Sequence, residues 1–251
     1  MAAARRLLPT ALLVLIAIAL LTLTPTPNLG ANESSNSPRH KLWGVYWSVQ
    51  PGFHSTLEMK NNRMKETVTA HVSLYFESGE EWYLRPVVLS PRQTAVIDVN
   101  RAIASLPRAV AARASREGTL EVSFDATNSS AIMASVSVKN PGRGIAWNFF
   151  LYPDGYWSQA SPTPLESVFW LPDNRTDGFV AIQNVSEATT TFIPRFHVAG
   201  AVHEGTARSL LAGQGYKLDL RRELKRLGLS QIEAGGIELV YQGASGAILA
   251  H

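Results

Sequence analysis

A chain of 251 residues, 45% hydrophobic and 17% charged, can bury one large core or two of roughly 100 residues each. Its formal charge of +3 falls by two, to +1, without Arg5 and Arg6, so a pI near 9.3 gives no support to nucleic acid as a partner. The absence of cysteine excludes a disulfide scaffold and, in an exported chain, suits a bacterial envelope protein.

Residues 1–31 read as an export signal. Arg5 and Arg6 precede an apolar run from Leu7 to Leu23, and Thr24-Pro25-Thr26-Pro27 stops any helix. The run lies at the border between a signal-peptide core and a span of roughly 17 to 25 apolar residues. The best cleavage site, after Ala31, has Leu29 at the minus-three position, so removal and retention as a membrane anchor through residues 7–23 both stay open. Either outcome places the remainder in the periplasm, on the cell surface or outside the cell. Residues 32–40, polar and without a large apolar side chain before the first strand, read as a flexible tether.

Beyond the tether the chain repeats itself. Trp47 to Asn61 lies over Trp170 to Asn184 without a gap, with Trp and Asn coinciding at both ends. Leu89, Gln93 and Asp98 lie over Leu210, Gln214 and Asp219. Leu120-Glu121 followed by Ala131 to Ser135 lies over Ile237-Glu238 followed by Ala247 to His251. The expected organisation is one β-sandwich repeat over residues 41–157, a linker over 158–166 and a second repeat over 167–251. The first copy continues through Pro141-Gly142 to Tyr152, so the second reads as lacking its last hairpin, and the chain as a fragment. The alternative is an open edge that accepts a strand from another chain.

Within a repeat, Val68, Ala70, Val72, Leu74 and Phe76 alternate with polar residues, the period of a strand with one buried face. After a further strand, Asp98 precedes Val99, Ile103 and Leu106, and Asp219 precedes Leu220, Leu224 and Leu227. That spacing predicts one short helix per repeat, capped by the aspartate and ended by Pro107 or Gly228. The fold class is therefore all-β: two tandem antiparallel sandwiches, each with one short helix between strands, behind an N-terminal signal or anchor helix.

Tyr75-Phe-Glu-Ser-Gly-Glu80, the Val88 to Thr94 strand and the Ser129 to Val136 segment resemble the sensory rhodopsin transducer family of β-sandwiches. The resemblance covers at most the first repeat. That family is soluble, cytoplasmic and without an export signal, so the resemblance implies a fold and not a function.

Few residues point to a site. Arg221, Arg222, Lys225 and Arg226 share a helix face that suits an anionic partner, against the plainer reading of a solvated face. Aromatic residues cluster at Trp43 to Trp47 and at Trp147 to Tyr152. Tyr156 and Trp157, next to the linker, are the candidates for stacking on a sugar or a protein. His197, His203 and Glu204 match no metal signature, and Glu80-Glu81 face a turn with no second carboxylate. Gly243-Ala-Ser245-Gly-Ala lacks the last glycine of a nucleophile elbow, so no catalytic motif and no cofactor or metal site is expected. Four glycosylation sequons, at Asn32, Asn128, Asn174 and Asn184, carry meaning only in a eukaryotic secretory route. The expected function is a non-catalytic binding or adhesion module with a protein or glycan partner. The rivals are an assembly subunit pairing through an open sheet edge, and the accessory part of an exported enzyme continuing past His251.

Overall fold

The computed structural model describes residues 39–155, 164–173 and 176–251, which belong to one compact unit. The export segment, Tyr156, Trp157 and most of the expected linker lie outside the described residues. Among the described residues no helix is long and apolar enough to cross a membrane.

The chain is all-β. Its first part runs β1 (Arg39–Ser48), β2 (His54–Asn61), β3 (Val68–Phe76), β4 (Glu81–Tyr83), β5 (Val87–Leu89), β6 (Thr94–Asp98), α1 (Val99–Ala104), α2 (Arg108–Ala111), β7 (Glu117–Asp125), β8 (Ile132–Asn140), β9 (Ile145–Phe150) and β10 (Tyr152–Pro153). The second runs β11 (Leu165–Trp170), β12 (Phe179–Asn184), β13 (Thr190–Val198), β14 (Ala201–Glu204), β15 (Arg208–Leu210), β16 (Gly215–Asp219), α3 (Leu220–Arg226), β17 (Ala234–Gln242) and β18 (Ile248–Ala250). Two boundaries differ from expectation: β1 begins inside the tether, and β11 takes Leu165 and Glu166 from the linker.

Among the described residues four antiparallel sheets result. The sheet β10–β1–β7–β3–β4, with β5 also on β3, shares a core with β6–β2–β8–β9. The sheet β11–β17–β13–β14, with β15 on β13, shares a second core with β16–β12–β18. Alternation explains both cores. Leu120, Val122 and Phe124 of β7 turn inward to Leu57, Met59 and Val136, while Phe192 and Phe196 of β13 turn inward to Ile182 and Leu218.

The order β1–β7–β3 over β6–β2–β8 has the same form as β11–β17–β13 over β16–β12–β18. Side chains at matching places make matching bonds. The buried Asn61 amide donates to the carbonyls of Glu66, Leu89 and Ser90, and Asn184 donates to those of Ala188, Leu210 and Leu211. Each clamps a loop whose carbonyls would otherwise be buried without a donor. Asp98 caps α1 by accepting the Arg101 N–H at 3.0 Å, and Asp219 caps α3 by accepting that of Arg222 at 2.9 Å.

Two local expectations fail. Pro107 does not simply end a helix: α1 stops at Ala104, and Pro107 heads the single extra turn α2, since its fixed φ suits a first turn. Trp170 does not repeat Trp47. A bulge between Gly44 and Trp47 shifts the register of β1, so Trp47 lies opposite Gly118, is fully buried, and donates Nε1–H to Thr119 O at 2.6 Å. In β11, which has no such shift, Phe169 lies opposite Gly235 and fills that place, while Trp170 is 71% exposed.

The sheet β16–β12–β18 also covers part of the outer face of β1–β7–β3, giving four layers. Phe179 lies 5.1 Å from the Tyr46 ring and 4.9 Å from that of Trp147, while Ala181 and Leu249 join the first core. Thr119 Oγ1 donates to Gly213 O at 2.9 Å, and Lys217 Nζ lies 3.3 Å from Glu117 Oε2. Glycine makes this approach possible. A Cβ at Gly215 would overlap the Thr119 methyl, and one at Gly213 would overlap the Tyr75 ring.

Candidate functional site

Below this seam the outer face of β1–β7–β3–β4 is roofed but not filled. Register sets Trp43, Glu121, Ser73 and Tyr83 side by side across four strands, with Lys41, Ser123 and His71 in the next row. Ser186-Glu187 and Ala212-Gly213, from two loops of the second sandwich, close the top of a cavity of about 390 Å³. Cavities of that size, at a junction and mixing rings with convergent polar groups, are where ligands bind.

Glu121 is the centre of its electrostatics. It is only 6% exposed and accepts from Tyr75 OH at 3.3 Å, with Lys41 Nζ at 3.5 Å. Burial pushes its carboxyl above the usual carboxylate range, more than Lys41 and Tyr75 pull it down. Lys41 also reaches Glu187 Oε1 at 3.3 Å. Burial alone would lower its ammonium, but the two carboxylates hold it above the ordinary value. Burial and the Glu121 charge together raise the Tyr75 phenol well above its normal range.

Three rings frame these groups. Lys41 Nζ sits 5.4 Å from the Trp43 ring centroid, Trp43 lies 6.2 Å from Tyr75, and Tyr83 is 67% exposed at the rim. Trp43 Nε1 is buried with no hydrogen-bond partner among the described residues. Glu81 lines the same cavity as Glu121, so the expectation that the Glu80-Glu81 pair has no carboxylate facing it in a cleft is corrected for Glu81.

The second sandwich carries a counterpart. Glu238, at the matching place on β17, lies 3.1 Å from His197 Nε2 and 3.9 Å from Arg195, which also pairs with Glu204 at 2.9 Å. Among the described residues that face has no roof like that of the first sandwich. His203 lies opposite Phe196 and His197 opposite Val202, so the two imidazoles point to opposite faces of the hairpin.

The sequence-derived candidates fare differently. The cationic face of α3 is divided: Arg221 donates to the carbonyls of Leu171, Thr176 and Asp173, and Arg226 pairs with Glu223 at 2.8 Å. Arg222 and Lys225 remain exposed. The two aromatic clusters pack together, with Trp43 opposite Tyr152 in the β1–β10 ladder and Tyr46 edge-on to Trp147 and Phe149. The cavity residues Lys41, Tyr75, Tyr83 and Glu187 carried no motif. The one signal available was Glu121, which recurs as Glu238 in the second copy. No protein-family model matches this chain, and no curated protein or solved structure matches it significantly.

Proposed function

We infer that the protein is an exported, non-catalytic binding module of a bacterial envelope, built from two copies of one β-sandwich unit and engaging a glycan through the cavity at Glu121. The cavity carries this reading: rings at Trp43, Tyr75 and Tyr83 stand beside both donors and acceptors, as an uncharged polyhydroxylated ligand requires. Duplication is supported by the shared strand order and by the paired roles of Asn61 with Asn184 and Asp98 with Asp219. Export is supported by Arg5, Arg6 and the apolar run that follows. The likeness to the sensory rhodopsin transducer family enters as a likeness of fold. The non-catalytic reading is taken from the sequence, where Gly243-Ala-Ser245-Gly-Ala lacks the last glycine of a nucleophile elbow.

The test is an oligosaccharide array probed with the full chain, followed by calorimetry on any hit. Binding should weaken roughly tenfold or more in Tyr83→Ala and Glu121→Gln. Binding to no sugar, or hydrolysis of a bound one, would overturn the proposal.

A further inference from the structure

The seam between the sandwiches uses the outer face of one sheet, β1–β7–β3–β4, and the outer face of another, β16–β12–β18. By strand order their counterparts are β11–β17–β13–β14 and β6–β2–β8. Among the described residues, neither counterpart face is covered. Six of the ten large apolar side chains exposed among the described residues lie on them: Val168 (85%), Trp170 (71%) and Val202 (57%) on one, Val96 (62%), Met133 (56%) and Phe150 (58%) on the other. Concentrated apolar exposure of this kind marks an interaction surface.

We propose that copies of this chain associate head to tail, the β11–β17–β13–β14 face of one against the β6–β2–β8–β9 face of the next, repeating the internal seam between molecules. The occupant is argued residue by residue. Inside the chain, Thr119 meets Gly215, so one side of the contact is a side chain and the other bare backbone. Their counterparts are Gly236 and Thr94, the same pairing with the glycine on the other side. Inside, Glu117 pairs with Lys217. The counterparts are Ala234 and Val96, both exposed and both uncharged, so no charge is stranded when they meet. Inside, Tyr75 lies on Gly213; the counterparts are His197, hydrogen-bonded to Glu238, and the exposed Arg92, a cation facing a carboxylate. Arg92 keeps the left-handed backbone of Gly213, with φ of 64° against 73°, so the loop carrying it has the same turn.

The two faces differ, so the contact is heterologous and each added copy leaves one of each face free. The product is an open chain rather than a closed dimer. This rests on the duplicated scaffold proposed above and not on the glycan cavity.

The chain has no cysteine, which makes cross-linking clean. In the full chain, Val96→Cys and Ala234→Cys together should give a ladder of covalent multimers under mild oxidation. The two single variants mixed should stop at dimers, and each single variant alone should stay monomeric. Adding Trp170→Asp to the double variant should abolish the ladder. Monomer only in the double variant overturns the proposal, as do dimers from either single variant alone, which mean like faces pair. A ladder indifferent to Trp170→Asp also overturns it, since collision then explains the product. Sugar binding reads the cavity alone, so the two proposals fail separately.

Discussion

Glu77 shows how one carboxyl registers the seam. Burial pushes it above the usual carboxylate range, the neighbouring Glu117 adds to that, and Lys217 from the second sandwich pulls it back only in part. A carboxyl raised in the folded state binds its proton more tightly folded than unfolded. Its stabilising share is therefore present at acid pH and lost as pH rises through the raised value. Glu77→Gln keeps the shape and removes the charge, so it should raise Tm at pH 7 and leave it unchanged near pH 4. Thermal unfolding at the two pH values checks this; an equal difference at both would show that charge is not the cause. The same residue scale separates what was legible from what was not. Asp98 and Asp219 were readable as caps because each accepts a backbone N–H three residues on, whereas Asn61 and Asn184 were readable only as a recurring pair, their bonds to Leu89 and Leu210 reaching far along the chain. Glu121 was readable only as a position shared with Glu238, because its partners Lys41 and Tyr75 lie on strands distant in the sequence.

At the scale of elements, one bulge decides the fate of two tryptophans. The extra residue in β1 rotates Trp47 into the first core, while the regular β11 leaves Trp170 on the surface. Trp47→Ala should cost about 3–5 kcal/mol, and Trp170→Ala should stay within about 0.5 kcal/mol. Denaturant titration of both variants at a concentration where the chain is monomeric reads the contrast, and comparable losses would mean that Trp170 is packed within its own chain. An alignment of letters set the two side by side because identity was counted where register should have been. A period-two pattern fixes which side chains share a face only while the ladder is unbroken, and β-bulges leave little trace in composition. Strand and helix assignments were more secure. The alternation in β3 and the aspartate caps of α1 and α3 are local, and the structure bears them out.

At the scale of the molecule, the two sandwiches act as one body because Gly213 and Gly215 let their sheets close on each other. Unfolding should then be a single cooperative transition in calorimetry. Gly215→Leu, which drives a side chain into Thr119, should split it into two transitions; a single transition in that variant would mean that the sandwiches are coupled elsewhere. The sequence by itself determined the all-β class, the alternation that fills each core, the helix caps and the doubled order of features. Each of these follows from contacts between residues close in the chain or from a repeated pattern. The cavity at Glu121, the division of the α3 cations and the bare faces at Trp170 and Phe150 were decided only by tertiary structure. They depend on contacts between residues distant in the chain, and at the seam Gly213 and Gly215, with no side chain to announce them, allow those contacts.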